Sequence, residues 1–165
     1  MSTRAAVLWP PMVDYSKWDG VADSDDETAA PVELGTTREA GNALFKQKKY
    51  AAAIATYSAL LDDADDDEKA LLLCNRSACL LAVDNVLQAS RDARQATTLQ
   101  PQNAKAWYRF ATAELKRKSY KNARIAAAKA HALDDSAATR ALLKKCKAAG
   151  AELYGDRVPA PKPSP

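Results

Sequence analysis

Histidine occurs once in this chain, methionine twice and glycine five times among 165 residues. Each scarcity excludes something. The single histidine, His131, has no cysteine or carboxylate at a recognisable ligand or triad spacing, so the sequence offers neither a catalytic acid–base pair nor a metal set. No glycine-rich phosphate loop can be drawn. Cys74, Cys79 and Cys146 make an odd set without C-x-x-C spacing, which argues against a disulfide framework and predicts buried, reduced thiols. No apolar run approaches the roughly eighteen residues a membrane helix needs, and V-L-W near the start is followed at once by P-P instead of a signal pattern. The expectation is a soluble, cytoplasmic monomer that is not an enzyme, carries no cofactor or metal and makes no membrane contact.

Charge is unevenly placed. Residues 1–33 hold Arg4 and Lys17 against seven acids, a net of −5, which leaves +8 for the remainder of a chain whose total is +3. Residues 1–33 mix acids, prolines and isolated aromatics without helical periodicity and are expected to be a disordered acidic tail. Residues 154–165 end in V-P-A-P-K-P-S-P, where alternate residues lack an amide donor, so a proline-rich extended tail is expected. Between them, residues 34–153 read as one continuous alanine-rich helical domain.

That domain repeats. Aligning R-E-A-G-N-A-L-F, N-R-S-A-C-L-L-A and R-F-A-T-A-E-L-K brings small residues together at Gly41, Ser77 and Ala111, and again at Ala53, Ala89 and Ala123, at spacings of 36 and then 34 residues. Each unit contains two amphipathic segments with a break near Lys48 to Tyr50, Asn85 to Val86 or Ser119 to Tyr120, which is helix-turn-helix. Small residues at the paired positions permit close helix approach. The extra residues of repeat one fall in D-D-A-D-D-D-E-K and predict a longer, looser connection to repeat two. A final segment places Ala141, Leu142, Cys146, Ala149 and Leu153 on one side, as a helix covering the end of the array would require.

The pattern resembles the tetratricopeptide repeat, with Tyr50, Tyr57, Trp107, Tyr120 and Pro101 at further matching positions. The resemblance implies an all-α fold of three repeats plus a C-terminal capping helix. In such an array the first helices line a concave wall. The positions that project from it hold Arg38 and Asn42, Asn75, then Lys105 and Arg109: three cations, two amides and no acid. Such a trough suits carboxylates, since Lys and Arg give charge-assisted donors and Asn gives N–H groups without repelling an anion.

R-E-A-G-N, N-R-S-A and K-A-W-Y-R are together similar to the dicarboxylate-clamp class of these domains, although Arg38 stands where lysine is usual. That resemblance implies binding of the C-terminal E-E-V-D of cytosolic heat-shock chaperones, the ninety-kilodalton one favoured over the seventy-kilodalton one. Asn42, Asn75 and Arg38 would then hold the terminal carboxylate, and Lys105 and Arg109 the aspartate or preceding backbone. Phe45 and Lys116 are expected as further groove residues.

Met12–Glu27, M-V-D-Y-S-K-W-D-G-V-A-D-S-D-D-E, is similar to the N-terminus of the kinase-specific co-chaperone of the ninety-kilodalton chaperone, which implies a second chaperone or kinase contact. Ser24 matches the serine that casein kinase 2 phosphorylates in that family, with Glu27 three residues on. The alternative of a nucleic-acid or other acidic-ligand scaffold rests on the basic run L-K-R-K-S-Y-K-N-A-R. Stacking aromatics are scarce outside packing positions, so no nucleic-acid partner is expected.

Overall fold

A computed structural model describes residues 36–154, with side chains to residue 151. Seven helices follow one another: α1 (Arg38–Lys46), α2 (Tyr50–Leu60), α3 (Asp66–Ala82), α4 (Val86–Leu99), α5 (Ala104–Lys116), α6 (Tyr120–Leu133) and α7 (Ala137–Tyr154). No strand occurs among the described residues. The segment 12–27, with Ser24, lies outside them.

Local chemistry sets the boundaries. Thr37 Oγ1 accepts from the Ala40 amide at 3.1 Å, and the Asn85 and Asn103 side chains cap α4 and α5 in the same manner. The first helix of each pair ends identically. The Lys49, Asn85 and Ser119 amides reach back to the Leu44, Leu80 and Glu114 carbonyls at 2.8–2.9 Å, a Schellman closure made three times. That closure needs one left-handed residue, and Lys48, Asp84 and Lys118 supply it with φ of 59°, 58° and 61°. These three turns are again 36 and 34 residues apart, so the repeat visible in the small residues is the repeat of the backbone.

The small residues lie where the helices cross. Ser77 is fully buried and its hydroxyl donates to the Ala89 carbonyl at 2.9 Å, while Ala111 and Ala123 share a core cluster with Leu142 and Cys146 of α7. Consecutive helices pack as antiparallel neighbours. The second-neighbour contacts α1 with α3, α3 with α5 and α5 with α7 place the first helix of each pair along one wall. All three cysteines are free and buried.

Two expectations change. The acidic run does not form a loose connection: Asp65 caps α3 by accepting from the Glu68 amide at 2.8 Å, and Asp66, Asp67 and Glu68 form its first turn. Carboxylates at the positive end of a helix extend it, so only residues 61–65 join α2 to α3. On α7, Ala141 faces solvent, whereas Leu142, Cys146 and Gly150 are buried with Ala149 half-covered. Leu142 and Cys146 thus lie on the covered side as expected, and the departure is confined to Ala141.

Candidate functional site

Helices α1, α3 and α5 carry the five expected site residues on their shared wall. Arg38, Asn42, Asn75, Lys105 and Arg109 are all half-buried, neither packed away nor fully solvated. Three are joined directly. Lys105 Nζ donates to Asn75 Oδ1 at 3.0 Å, and Asn75 Nδ2 donates to Asn42 Oδ1 at 3.1 Å.

Charge fixes the direction of this chain. An ammonium can only donate, so the Asn75 atom facing Lys105 is its oxygen and its other end is the NH2 group. The Asn42 atom facing that NH2 must in turn be oxygen. The Tyr57 hydroxyl, 2.8 Å from the same oxygen, must therefore donate. Asn42 is left with both N–H groups unspent on any partner among the described residues.

The cations are close enough to feel each other. Withdrawal from water lowers the Lys105 pKa below that of an ordinary lysine; Cys74 opposes the fall, and repulsion from Arg109 and Arg38 adds to it. Arg109 Nε is buried without a hydrogen-bond partner, and its guanidinium lies 5.8 Å from the centre of the Tyr108 ring. Beneath them burial pushes the Cys74 thiol up, against the pull of Lys105 and Arg109. Cys79 is pushed up to about 12, also by burial. Neither thiol is placed to ionise and neutralise the wall.

No ion pair among the described residues includes Lys105 or Arg109. Arg38 pairs with its exposed neighbour Glu39 at 3.3 Å. Two buried-side cations without carboxylates are an arrangement that favours an anion from outside.

The other expected groove residues, Lys116 and Phe45, also make contacts within the chain. Lys116 Nζ donates to Asp84 Oδ1 at 3.0 Å and to the Leu81 carbonyl at 3.3 Å, so its charge is partly answered within the chain. Phe45 stands edge-on to Tyr50 at 5.5 Å between ring centres and packs on the core of the first pair. His131 Nδ1 lies 3.4 Å from Asp135 Oδ1. The residue that sequence reasoning missed is Tyr57. Its one available signal was the glycine beside Asn42, since a Cβ on Gly41 would overlap the Tyr57 ring.

This fold is that of a tetratricopeptide-repeat domain. The chain superposes on the first such domain of Spaghetti (RPAP3), solved bound to the HSP90 peptide SRMEEVD, with a TM-score of 0.65 and 27% identity over 69% of this chain and 90% of that one. No family model matches. Among curated relatives, protein unc-45 homolog B of Xenopus tropicalis is 40% identical over 80 residues, 48% of this chain and 8% of that protein. The Hsp70/Hsp90 co-chaperone cns1 of Schizosaccharomyces pombe is 35% identical over 89 residues, 53% of this chain and 25% of that one. The chain thus matches only a small part of these relatives' lengths.

Proposed function

We propose that this chain is a non-catalytic co-chaperone adaptor whose wall of first helices binds the C-terminal E-E-V-D of a cytosolic heat-shock chaperone through a dicarboxylate clamp. One observation carries the reading: Lys105 and Arg109 are partly withdrawn from water with no carboxylate of their own. A short acidic peptide with a free C-terminus supplies two carboxylates at once. Asn42, Asn75 and Arg38 hold the terminal one; Lys105 and Arg109 hold the aspartate or the preceding backbone. The peptide bound by the Spaghetti domain supports this choice of ligand. We favour the ninety-kilodalton chaperone and a cytoplasmic setting.

The nucleic-acid alternative loses support because two cations of its basic run, Lys116 and Arg117, meet carboxylates within the chain. Arg117 pairs with Glu114 at 2.6 Å and Lys116 with Asp84. Calorimetric titration with SRMEEVD as the free acid tests the proposal, with the C-terminally amidated peptide and a single-stranded oligonucleotide alongside. Binding that requires the free acid is expected. Equal affinity for the acid and the amide, or tighter binding of the oligonucleotide, removes the clamp.

A further inference from the structure

Tyr57 belongs to α2, the second helix of its pair, yet its hydroxyl reaches through the pair to the wall formed by the first helices. The ring is 1% exposed and lies over Gly41, the only residue type that leaves it room. Its hydroxyl meets Asn42 Oδ1 at 2.8 Å, the same oxygen that accepts from the Asn75 amide at 3.1 Å. A carbonyl oxygen has two lone pairs, and both are then occupied.

We infer that Tyr57 is the positioning residue that aims the Asn42 amide at the ligand's terminal carboxylate. The inference rests on the clamp reading. With its oxygen held from two sides, Asn42 can turn only its N–H donors toward the groove, the polarity an anion needs. The constraint begins at the charge of Lys105, passes through Asn75 and is closed by the tyrosine. Without the hydroxyl one lone pair loses its partner. The amide can then rotate, and it exposes its oxygen to the groove for part of the time, where it repels a carboxylate. Tyr57 touches no ligand in this account, since its hydroxyl is already spent.

Tyr57→Phe keeps the ring over Gly41 and removes only the donor. In the full chain we expect affinity for SRMEEVD free acid to fall about three- to tenfold. Affinity for the amidated peptide should hold, so the acid-to-amide preference shrinks by the same factor. The side-chain amide resonances of Asn42 should shift in the free protein, while helicity by circular dichroism is unchanged. A preference equal to wild type, or equal losses for both peptides, overturns the positioning role and leaves the clamp standing. A wild-type chain that does not prefer the free acid overturns the clamp, and this role with it.

Discussion

Arg76 and Arg117 sit where helices join, Lys105 and Arg109 on the wall of first helices; Arg117 is exposed and the other three are partly withdrawn from solvent, but only Arg76 and Arg117 meet carboxylates. Arg76 grips Asp92 with two nitrogens, at 2.7 and 2.9 Å, and gives a third to Ser58 at 2.9 Å, so one side chain ties α2, α3 and α4 together. Glu114 is 1% exposed and accepts from Ser90, Arg117 and Asn122, which joins α4, α5 and α6. Burial pushes its carboxyl up, but those hydrogen bonds outweigh it and hold the group below the usual carboxylate range. Among the described residues the chain thus neutralises Arg76 and Arg117 at its helix joints and gives Lys105 and Arg109 no carboxylate, while Arg38 meets the exposed Glu39. Desolvation without a partner is the mark of a site, and desolvation with one is the mark of a joint.

The sharpest way to break that contrast is to remove one carboxylate from a joint. Asp92→Ala strands Arg76, whose side chain is only 14% exposed, and should cost about 3 kcal/mol of unfolding free energy. Denaturant unfolding followed by helicity reads it. The residual folded protein should still bind the peptide. A cost below about 1 kcal/mol would put this pair with ordinary surface ion pairs and dissolve the distinction.

Arg109→Met makes the opposite change in the groove. It removes a charge that has no carboxylate partner among the described residues and that repels Lys105, so stability should stay level or rise by up to about 1 kcal/mol. Peptide affinity should fall about ten- to a hundredfold, the worth of a charge-assisted contact. Stability loss comparable to that of Asp92→Ala would show that Arg109 serves the fold instead.

Much of the scaffold was legible in the sequence because the signals were periodic. The 36- and 34-residue spacings, the three breaks and the five wall residues follow from which face of a helix each position occupies. What sequence left hidden are pairings across faces. Nothing in R-S-A marks Arg76 as the partner of Asp92 sixteen residues on, and nothing in the spacing pairs Lys116 with Asp84. Composition alone marks the acids of D-D-A-D-D-D-E-K as linker; Asp62 and Asp63 are, but Asp65 caps α3 and Asp66, Asp67 and Glu68 form its first turn. Ala141 was assigned to the covered face because alanine suits either environment and carries little directional information. Tyr57 fitted a packing position so well that its hydroxyl raised no question.

Gly41→Ala tests whether joint and groove meet at that tyrosine. A Cβ there would overlap the ring, with Tyr57 Cζ only 2.8 Å away, and the ring is held between α1 and α2 with little space to move. Overpacking should cost about 1–3 kcal/mol of stability, seen as a lower denaturation midpoint. Because the same ring carries the hydroxyl on Asn42, peptide affinity should weaken as well, unlike in Asp92→Ala. Normal affinity in Gly41→Ala would separate the ring's packing from its hydrogen bond.

The smallest effect is expected at the turns, where the three repeats make one closure with different residues. Lys118 adopts φ of 61°, is exposed and makes no side-chain contact that repays the left-handed conformation, which costs an ordinary residue about 1–2 kcal/mol. Glycine removes that strain but loses more entropy on folding, so Lys118→Gly should stabilise by a net of about 0.5 kcal/mol. Asp84→Gly should gain less or lose. Aspartate tolerates φ of this sign better than lysine, and its carboxylate holds Lys116 at 3.0 Å. Denaturation midpoints of the two variants measured together decide it. If Asp84→Gly proves the more stabilising, strain at these turns does not depend on residue type as the shared Schellman geometry requires, and the Lys116–Asp84 pair contributes nothing to the joint it spans.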